Sequence, residues 1–380
     1  MKKIALIGST GSIGVQTLNV VRRYPDKFKI VSLAAGKNAA LLAEQVKEFK
    51  PEIATAAGCS EEYLSVIKQN VRDFTVGENA FINAITAEAD VVVIALVGFT
   101  GIIAVLDAMN KGKNIALANK ESLVVGGDIV MKKAREKGVN IVPIDSEHSA
   151  IWQALSFDFN RPFKKIILTA SGGAFRDKTE EELKTATAAD ALRHPNWAMG
   201  AKITVDCATM VNKAFEVIEA KWLYSAPFDK IDVIIHRESI IHSMVEYEDG
   251  STIAQMSYPT MELPIQIALS YPERLNPAVD SLNFAKISKL TFSELDKKRF
   301  PAFKEVVSAG KKGGAYPAVA NGANDALTKL FLENKIGFTD IYAGISGALN
   351  AYSGDYFGDF ETLKAANDFA ARFVKNKYGE

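Results

Sequence analysis

Two carboxylates stand two positions apart in Asp145-Ser146-Glu147-His148, directly after the apolar run Gly138-Val-Asn-Ile-Val-Pro-Ile. That run reads as a short strand, and alternation along a strand points Asp145 and Glu147 to the same side. Side by side, the two acids repel unless a cation lies between them, and oxygen donors suit Mg²⁺ or Mn²⁺. The competing reading is a solvated helix start, because Asp and Ser both cap well. Further on, in the helix-like stretch Asp206 to Trp222, Glu216 lies four residues after Asn212, on the same face, and three after Lys213. As a surface ion pair this is worth about 0.3 kcal/mol. As a site it is a third metal carboxylate beside two donors for an anionic substrate.

Three smaller features belong with these. Ala170-Ser171-Gly-Gly-Ala follows a strand-like run, Lys164 to Thr169. It is either a plain turn or a phosphate nest of backbone N–H groups and a hydroxyl. Arg193-His-Pro-Asn-Trp-Ala-Met-Gly200 fits neither the helical nor the strand period. With Trp197 and Met199, it is either pinned to a core or able to close over a ligand. His194 in that loop is the histidine expected to touch substrate. His148 is expected to order Asp145 and Glu147, while His236 and His242, in or near strands, read as structural.

The elements that position these groups begin at the N-terminus. An apolar strand at residues 3–7 runs into Gly8-Ser-Thr-Gly11-Ser-Ile-Gly14 and an amphipathic stretch from Val15 to Arg23. Strand, glycine turn and helix are the context of a dinucleotide fingerprint. The next strand, Phe28 to Ala34, ends in Ala35-Gly36-Lys37-Asn38. The acid that would bind the ribose hydroxyl of NAD is missing there, and Lys37 suits the extra phosphate of NADP. Helices at 40–49, 61–69 and 101–110, and one from Asn119-Lys120-Glu121-Ser122 to Gly138, alternate with strands at 52–55, 90–96 and 114–118. The fold class is therefore α/β, with a doubly wound, Rossmann-type N-terminal domain. Gly8, Lys37, Asn119, Lys120 and Asp145 all fall at carboxyl ends of strands, where such sheets bind ligands.

Beyond residue 150 the pattern becomes α+β. Single helices are predicted within 179–192 and over 206–222. A strand at 230–235 and a hairpin, 240–248 with 252–257, follow. Prolines 259, 264, 272 and 277 mark a loop and linker. The expected domains are 1–149 for the dinucleotide, 150–275 for catalysis and metal, a linker at 276–296, and a helical C-terminal domain at 297–380. Lys+Arg and Asp+Glu both number 45, so net charge supports neither a nucleic-acid partner nor a membrane surface. No run approaches a membrane span. Two cysteines, Cys59 and Cys207, make no disulfide framework, and the expected compartment is the cytoplasm.

Taken in order, several of these stretches resemble 1-deoxy-D-xylulose 5-phosphate reductoisomerases. They are the opening Gly-Ser-Thr-Gly-Ser-Ile-Gly, Ala-Asn-Lys-Glu-Ser-Leu at 118–123, Asp-Ser-Glu-His at 145–148, His-Pro-Asn-Trp-x-Met-Gly at 194–200 and Ala-Thr-Met-x-Asn-Lys at 208–213. The resemblance runs over essentially the whole chain. It implies Asp145, Glu147 and Glu216 as ligands of Mg²⁺ or Mn²⁺, with Co²⁺ an alternative. It implies Lys120, Ser146, Glu147, Ser171, His194, Trp197, Met199, Cys207, Asn212, Lys213 and Glu216 around a small phosphosugar, with Ser171, Asn212 and Lys213 at its phosphate. Lys120, Asp145, Glu147, His194 and Glu216 would be catalytic. Gly8, Thr10, Gly11, Ser12, Ile13, Gly36, Lys37, Asn38, Asn119, Glu121 and Gly200 would contact NADPH. Trp197 would ride on a flap, and the protein would be a homodimer. The implied reaction rearranges 1-deoxy-D-xylulose 5-phosphate, by retro-aldol cleavage and re-addition, and reduces the aldehyde to 2-C-methyl-D-erythritol 4-phosphate, a step in non-mevalonate isoprenoid synthesis.

One position departs from the family pattern: Cys207 stands where serine is expected, near the substrate phosphate. It also reads as lying near a helix start, which lowers a thiol's pKa. Two competing readings follow. In one, the chain is a metal-free dehydrogenase of the aspartate-semialdehyde type, with Cys207 as nucleophile and His194 as base. In the other, it is an NADP-binding regulator, which leaves Asp145, Glu147 and Glu216 without a role. A short-chain dehydrogenase is a poorer fit, since no Tyr-x-x-x-Lys occurs.

Overall fold

The computed structural model describes residues 1–277 and 279–379. The chain forms two compact units. The first takes Met1–Asn119, Val130–Ser149 and Met261–Asp280; the second takes Lys120–Ile129, Ala150–Thr260 and the chain from Ser281 onward.

Among the described residues, the first unit is built on seven strands: β1 (Lys2–Ile7), β2 (Phe28–Ala35), β3 (Ile53–Ala56), β4 (Asp73–Val76), β5 (Val91–Ile94), β6 (Asn114–Leu117) and β7 (Ile141–Pro143). Their order is β4-β3-β2-β1-β5-β6-β7, and every pairing is parallel. Sequence order reverses between β1 and β5, the place where such sheets bind nucleotides. Val91-Val-Val-Ile is buried throughout, as a strand covered on both faces must be. Its helices are α1 (Ser12–Arg23), α2 (Ala39–Phe49), α3 (Glu61–Asn70) and α4 (Gly101–Asn110), while α5 (Glu121–Lys137) and α6 (Ser146–Ala154) are divided, the first unit taking α5 from Val130 and α6 as far as Ser149. α1 buries Thr17, Leu18, Val20 and Val21 and ends in Arg22 and Arg23, cations that suit its C-terminal dipole. β4 went unread in the sequence because none of its four residues is fully buried.

The second unit carries β8 (Lys165–Ala170), α7 (Glu180–Lys184), α8 (Ala188–Ala191), α9 (Ala201–Ala208), α10 (Val211–Leu223), β9 (Ile231–Ile235), β10 (Ile241–Glu246) and β11 (Thr252–Met256). The chain then returns to the first unit as α11 (Glu262–Ser270), within the stretch expected to be loop. Pro264 sits in its first turn, where the missing N–H costs nothing. The remaining elements are α12 (Phe284–Ile287), β12 (Ser293–Glu294), α13 (Pro301–Lys312), α14 (Tyr316–Leu332), α15 (Phe338–Ala351) and α16 (Phe360–Tyr378). The second sheet runs β11-β10-β8-β9-β12, parallel only between β8 and β9.

Two expected helices are each broken in two. Within 179–192, Thr179 and Thr187 start separate helices, each with an acid three residues on closing a capping box. Within 206–222, Met210 adopts a left-handed conformation, φ 63°. The Thr209 hydroxyl accepts from Val211 N–H at 3.3 Å, and the helix restarts in a new direction.

Candidate active site

The glycine turn shows what its residues are for. Gly8 has φ +99°, and a Cβ there would lie 2.5 Å from the Ala95 carbonyl oxygen. A Cβ on Gly14 would lie 2.2 Å from the Gly8 oxygen. Close backbone packing therefore demands glycine at both positions. Gly11 is the N-cap of α1 and supplies no side-chain cap, so the first N–H groups of α1 face outward beside Thr10, Ser12 and Ile13, an anion site by geometry. Gly36, Lys37 and Asn38 lie exposed at the end of β2, and Asn38 caps α2 by accepting from Leu41 N–H at 3.1 Å. Asn119 is buried, and its amide donates to the Leu96 and Gly98 carbonyls, both at 3.0 Å. It thus ties together the ends of β5 and β6.

The strand reading of Asp145 and Glu147 does not hold. β7 stops at Pro143 and α6 starts at Ser146, so the two acids flank a helix start and strand alternation does not apply. Asp145 Oδ1 accepts from Glu147 N–H at 3.2 Å and lies 3.3 Å from His148 Nδ1. The Ser146 hydroxyl donates to Glu147. Asp145 therefore orders the helix start through Oδ1.

In the second unit, the face of α10 gathers charge. Glu216 is buried, and its Oε1 accepts from Lys120 Nζ at 3.1 Å and from Asn212 Nδ2 at 2.6 Å. Lys213 Nζ donates to Oε2. This is no surface ion pair, since Lys120, Asn212 and Lys213 are all buried as well.

The turn after β8 and the flap meet directly. His194 Nδ1 accepts from Asn196 N–H at 3.2 Å and Trp197 N–H at 2.9 Å. The ring proton therefore resides on Nε2, which lies 3.0 Å from the Ser171 hydroxyl and donates to it. Burial, with the Arg176 charge adding, pushes the His194 pKa down to about 4, so the ring is neutral at physiological pH. Ser171 Oγ also accepts from Gly173 N–H at 3.2 Å. Arg176, which the sequence reading passed over, holds the turn through the Ser171 and Arg237 carbonyls at 3.1 and 3.2 Å. Trp197 packs edge-on against His242 with ring centroids 6.0 Å apart, and Met199 is half-buried in the same loop. His236 and His242 contact the carbonyls of Thr291 and Ser257, the structural role expected of them.

Cys207 is the penultimate residue of α9 rather than near a helix start. Burial first, then the Glu216 charge, pushes its thiol pKa up to about 12. A nucleophilic cysteine with His194 as base is thereby disfavoured. The thiol stays protonated, and both ring nitrogens of His194 are engaged elsewhere. Gly173 backs onto the same place, since a Cβ there would lie 2.4 Å from the Cys207 carbonyl oxygen. The Ser171 turn and the end of α9 are thus neighbours.

Comparison with known proteins bears on this arrangement. Family models for 1-deoxy-D-xylulose 5-phosphate reductoisomerase match residues 4–127, and those for its C-terminal domains match 141–224 and 256–374. A reductoisomerase from Exiguobacterium sibiricum is 46% identical over 377 residues, 98% of each chain. The Zymomonas mobilis reductoisomerase in complex with NADPH superposes with a TM-score of 0.91 at 36% identity, over 99% of this chain and 98% of that one. A DOX-P reductoisomerase holding NADPH, fosmidomycin and magnesium gives 0.92 at 35% identity over the whole of both chains. The chain belongs to the 1-deoxy-D-xylulose 5-phosphate reductoisomerase family.

Proposed function

We propose that the residues placed above carry out the family's reaction, the NADPH- and divalent-metal-dependent isomerisation and reduction of 1-deoxy-D-xylulose 5-phosphate to 2-C-methyl-D-erythritol 4-phosphate. The observation that carries this reading is Glu216, a buried carboxylate held by Lys120, Asn212 and Lys213. Such a group is costly to bury unless function keeps it.

Asp145, Glu147 and Glu216 are the proposed metal ligands, and an all-carboxylate donor set fits a hard cation. A divalent ion held there supplies Lewis acidity toward the substrate's ketone oxygen and adjacent hydroxyl. Lys120 stabilises negative charge as it develops. Ser171, Asn212 and Lys213 bind the phosphate. The Ser171 hydroxyl, fixed by two incoming donors, keeps its own proton to give to a phosphate oxygen. Ser146, Trp197 and Met199 are proposed to line the sugar, and flap closure excludes water from reactive fragments. The turn from Gly8 through Ile13 takes the pyrophosphate of NADPH, with Gly36, Lys37 and Asn38 at the adenosine end. Asn119, Glu121 and Gly200 complete the proposed cofactor contacts.

Assembly as a homodimer is part of the proposal. β11 is an edge strand with Ile253 about half exposed, and an unpaired edge invites pairing. No described helix is long and apolar enough to cross a membrane, and the cytoplasm is the proposed compartment.

The test follows NADPH absorbance on adding the substrate with Mg²⁺ or Mn²⁺, and again with EDTA. Loss of absorbance only with metal is expected. Oxidation untouched by EDTA would remove the acids from the role assigned to them.

A further inference from the structure

Lys202 lies in the first turn of α9, two residues beyond the flap's last glycine. A cation is unfavourable at that end of a helix dipole, so something must hold it there. Its ammonium is 2.7 Å from Asp206, 3.0 Å from Asp325 and 3.4 Å from Glu121, and it lies 5.6 Å from the Phe215 ring centre. One side chain thus touches its own helix, α14, the start of α5, and α10. Burial alone would lower the lysine's pKa; Asp206, Glu121 and Asp325 together raise it well above the ordinary value.

The far side of the cluster is equally built. Asp206 Oδ1 accepts from Asn324 Nδ2 at 2.9 Å and lies 3.4 Å from the Thr328 hydroxyl, all three residues buried. Asp325 is tied by Asn321 at 3.2 Å, which also reaches Asn367 of α16 at 3.1 Å. So buried polar groups help fasten α9 to the C-terminal helices, where an apolar contact would stabilise more cheaply.

We propose that Lys202 is a positioning residue for the nicotinamide cofactor: anchored on α14, it fixes Glu121 and the root of the flap in one relative placement. This rests on the reading above that Glu121 and Gly200 face NADPH, and it gives the C-terminal helices a part in that site. Glu121 follows Lys120 in the chain, so a shift of its carboxylate would also move the start of α5.

Lys202→Met keeps the length of the side chain and removes its charge. Its NADPH dissociation constant, read by fluorescence titration without substrate, is expected to rise about tenfold, the scale of a lost charged hydrogen bond. Lys202→Arg is expected to recover most of that loss. Asp325→Asn removes one of three carboxylates around one ammonium and leaves the fold intact, so it decides the matter where Lys202→Met unfolds. A rise of about threefold is expected there, for a partial loss of one charged contact. A lowered Tm with the NADPH constant unchanged in folded protein would assign Lys202 to packing and overturn the proposal. If the unmodified protein itself binds no NADPH, the cofactor reading fails and takes the role of Lys202 with it, an outcome distinct from an unchanged constant in the variants.

Discussion

The neutral state of His194 has a measurable consequence. Its pKa is held near 4 against an ordinary 6.5, so its stabilising contribution is whole above pH 6.5 and is lost as pH falls through about 4. The imidazole NMR shifts of His194 should therefore stay unchanged between pH 8 and 5. His194→Gln can still donate to Ser171 and should keep more activity than His194→Ala, with the loss appearing in substrate KM. Equal losses in the two variants would remove the donor role. At Cys207 the thiol is a weaker donor than a serine hydroxyl. Cys207→Ser should lower substrate KM several-fold, on the order of 1 kcal/mol. An unchanged KM would show that residue 207 does not reach the phosphate. Residue types and motifs were legible in the sequence here, because the chemistry needs particular side chains. What sequence could not give was Arg176 and Lys202, whose partners Arg237, Asp325 and Glu121 are distant along the chain.

At the scale of elements, the sequence marked the strands of the first sheet except β4 and blurred the helices around the flap. Thr179 and Thr187 read as ordinary residues inside one Ala-rich helix. In the structure each begins a helix of its own, because a hydroxyl cap competes with helix continuation. Thr209 and Met210 interrupt the next helix without glycine or proline, so no breaker announced it. The cap at Thr187 lies just ahead of the flap. Thr187→Ala should cost about 1 kcal/mol of local stability and loosen the N-terminal side of the 193–200 loop, at the end away from Gly200. The expected readout is a raised substrate KM with NADPH affinity unchanged; equal changes in both would point to a general loss of folded protein.

For the whole molecule, alternation of strands and helices revealed the parallel sheet, and motif order revealed the family. Light scattering should give twice the 41.3 kDa chain mass, and Ile253→Lys on the β11 edge should shift the protein toward the single-chain mass. Unlike the sheet, the return of residues 261–280 to the first unit left no trace in the sequence, because prolines there suggested loop and no local signal says which core a segment joins. That return bears on the order in which the protein is made. Ile265 and Leu269 of α11 are fully buried in the core of the first unit. On the ribosome, the sheet strands emerge long before the helix that completes their covering. The first unit cannot finish folding when its last strand appears; it must wait until most of the second has been synthesised. Until then its apolar surface is exposed to chaperones and to neighbouring nascent chains.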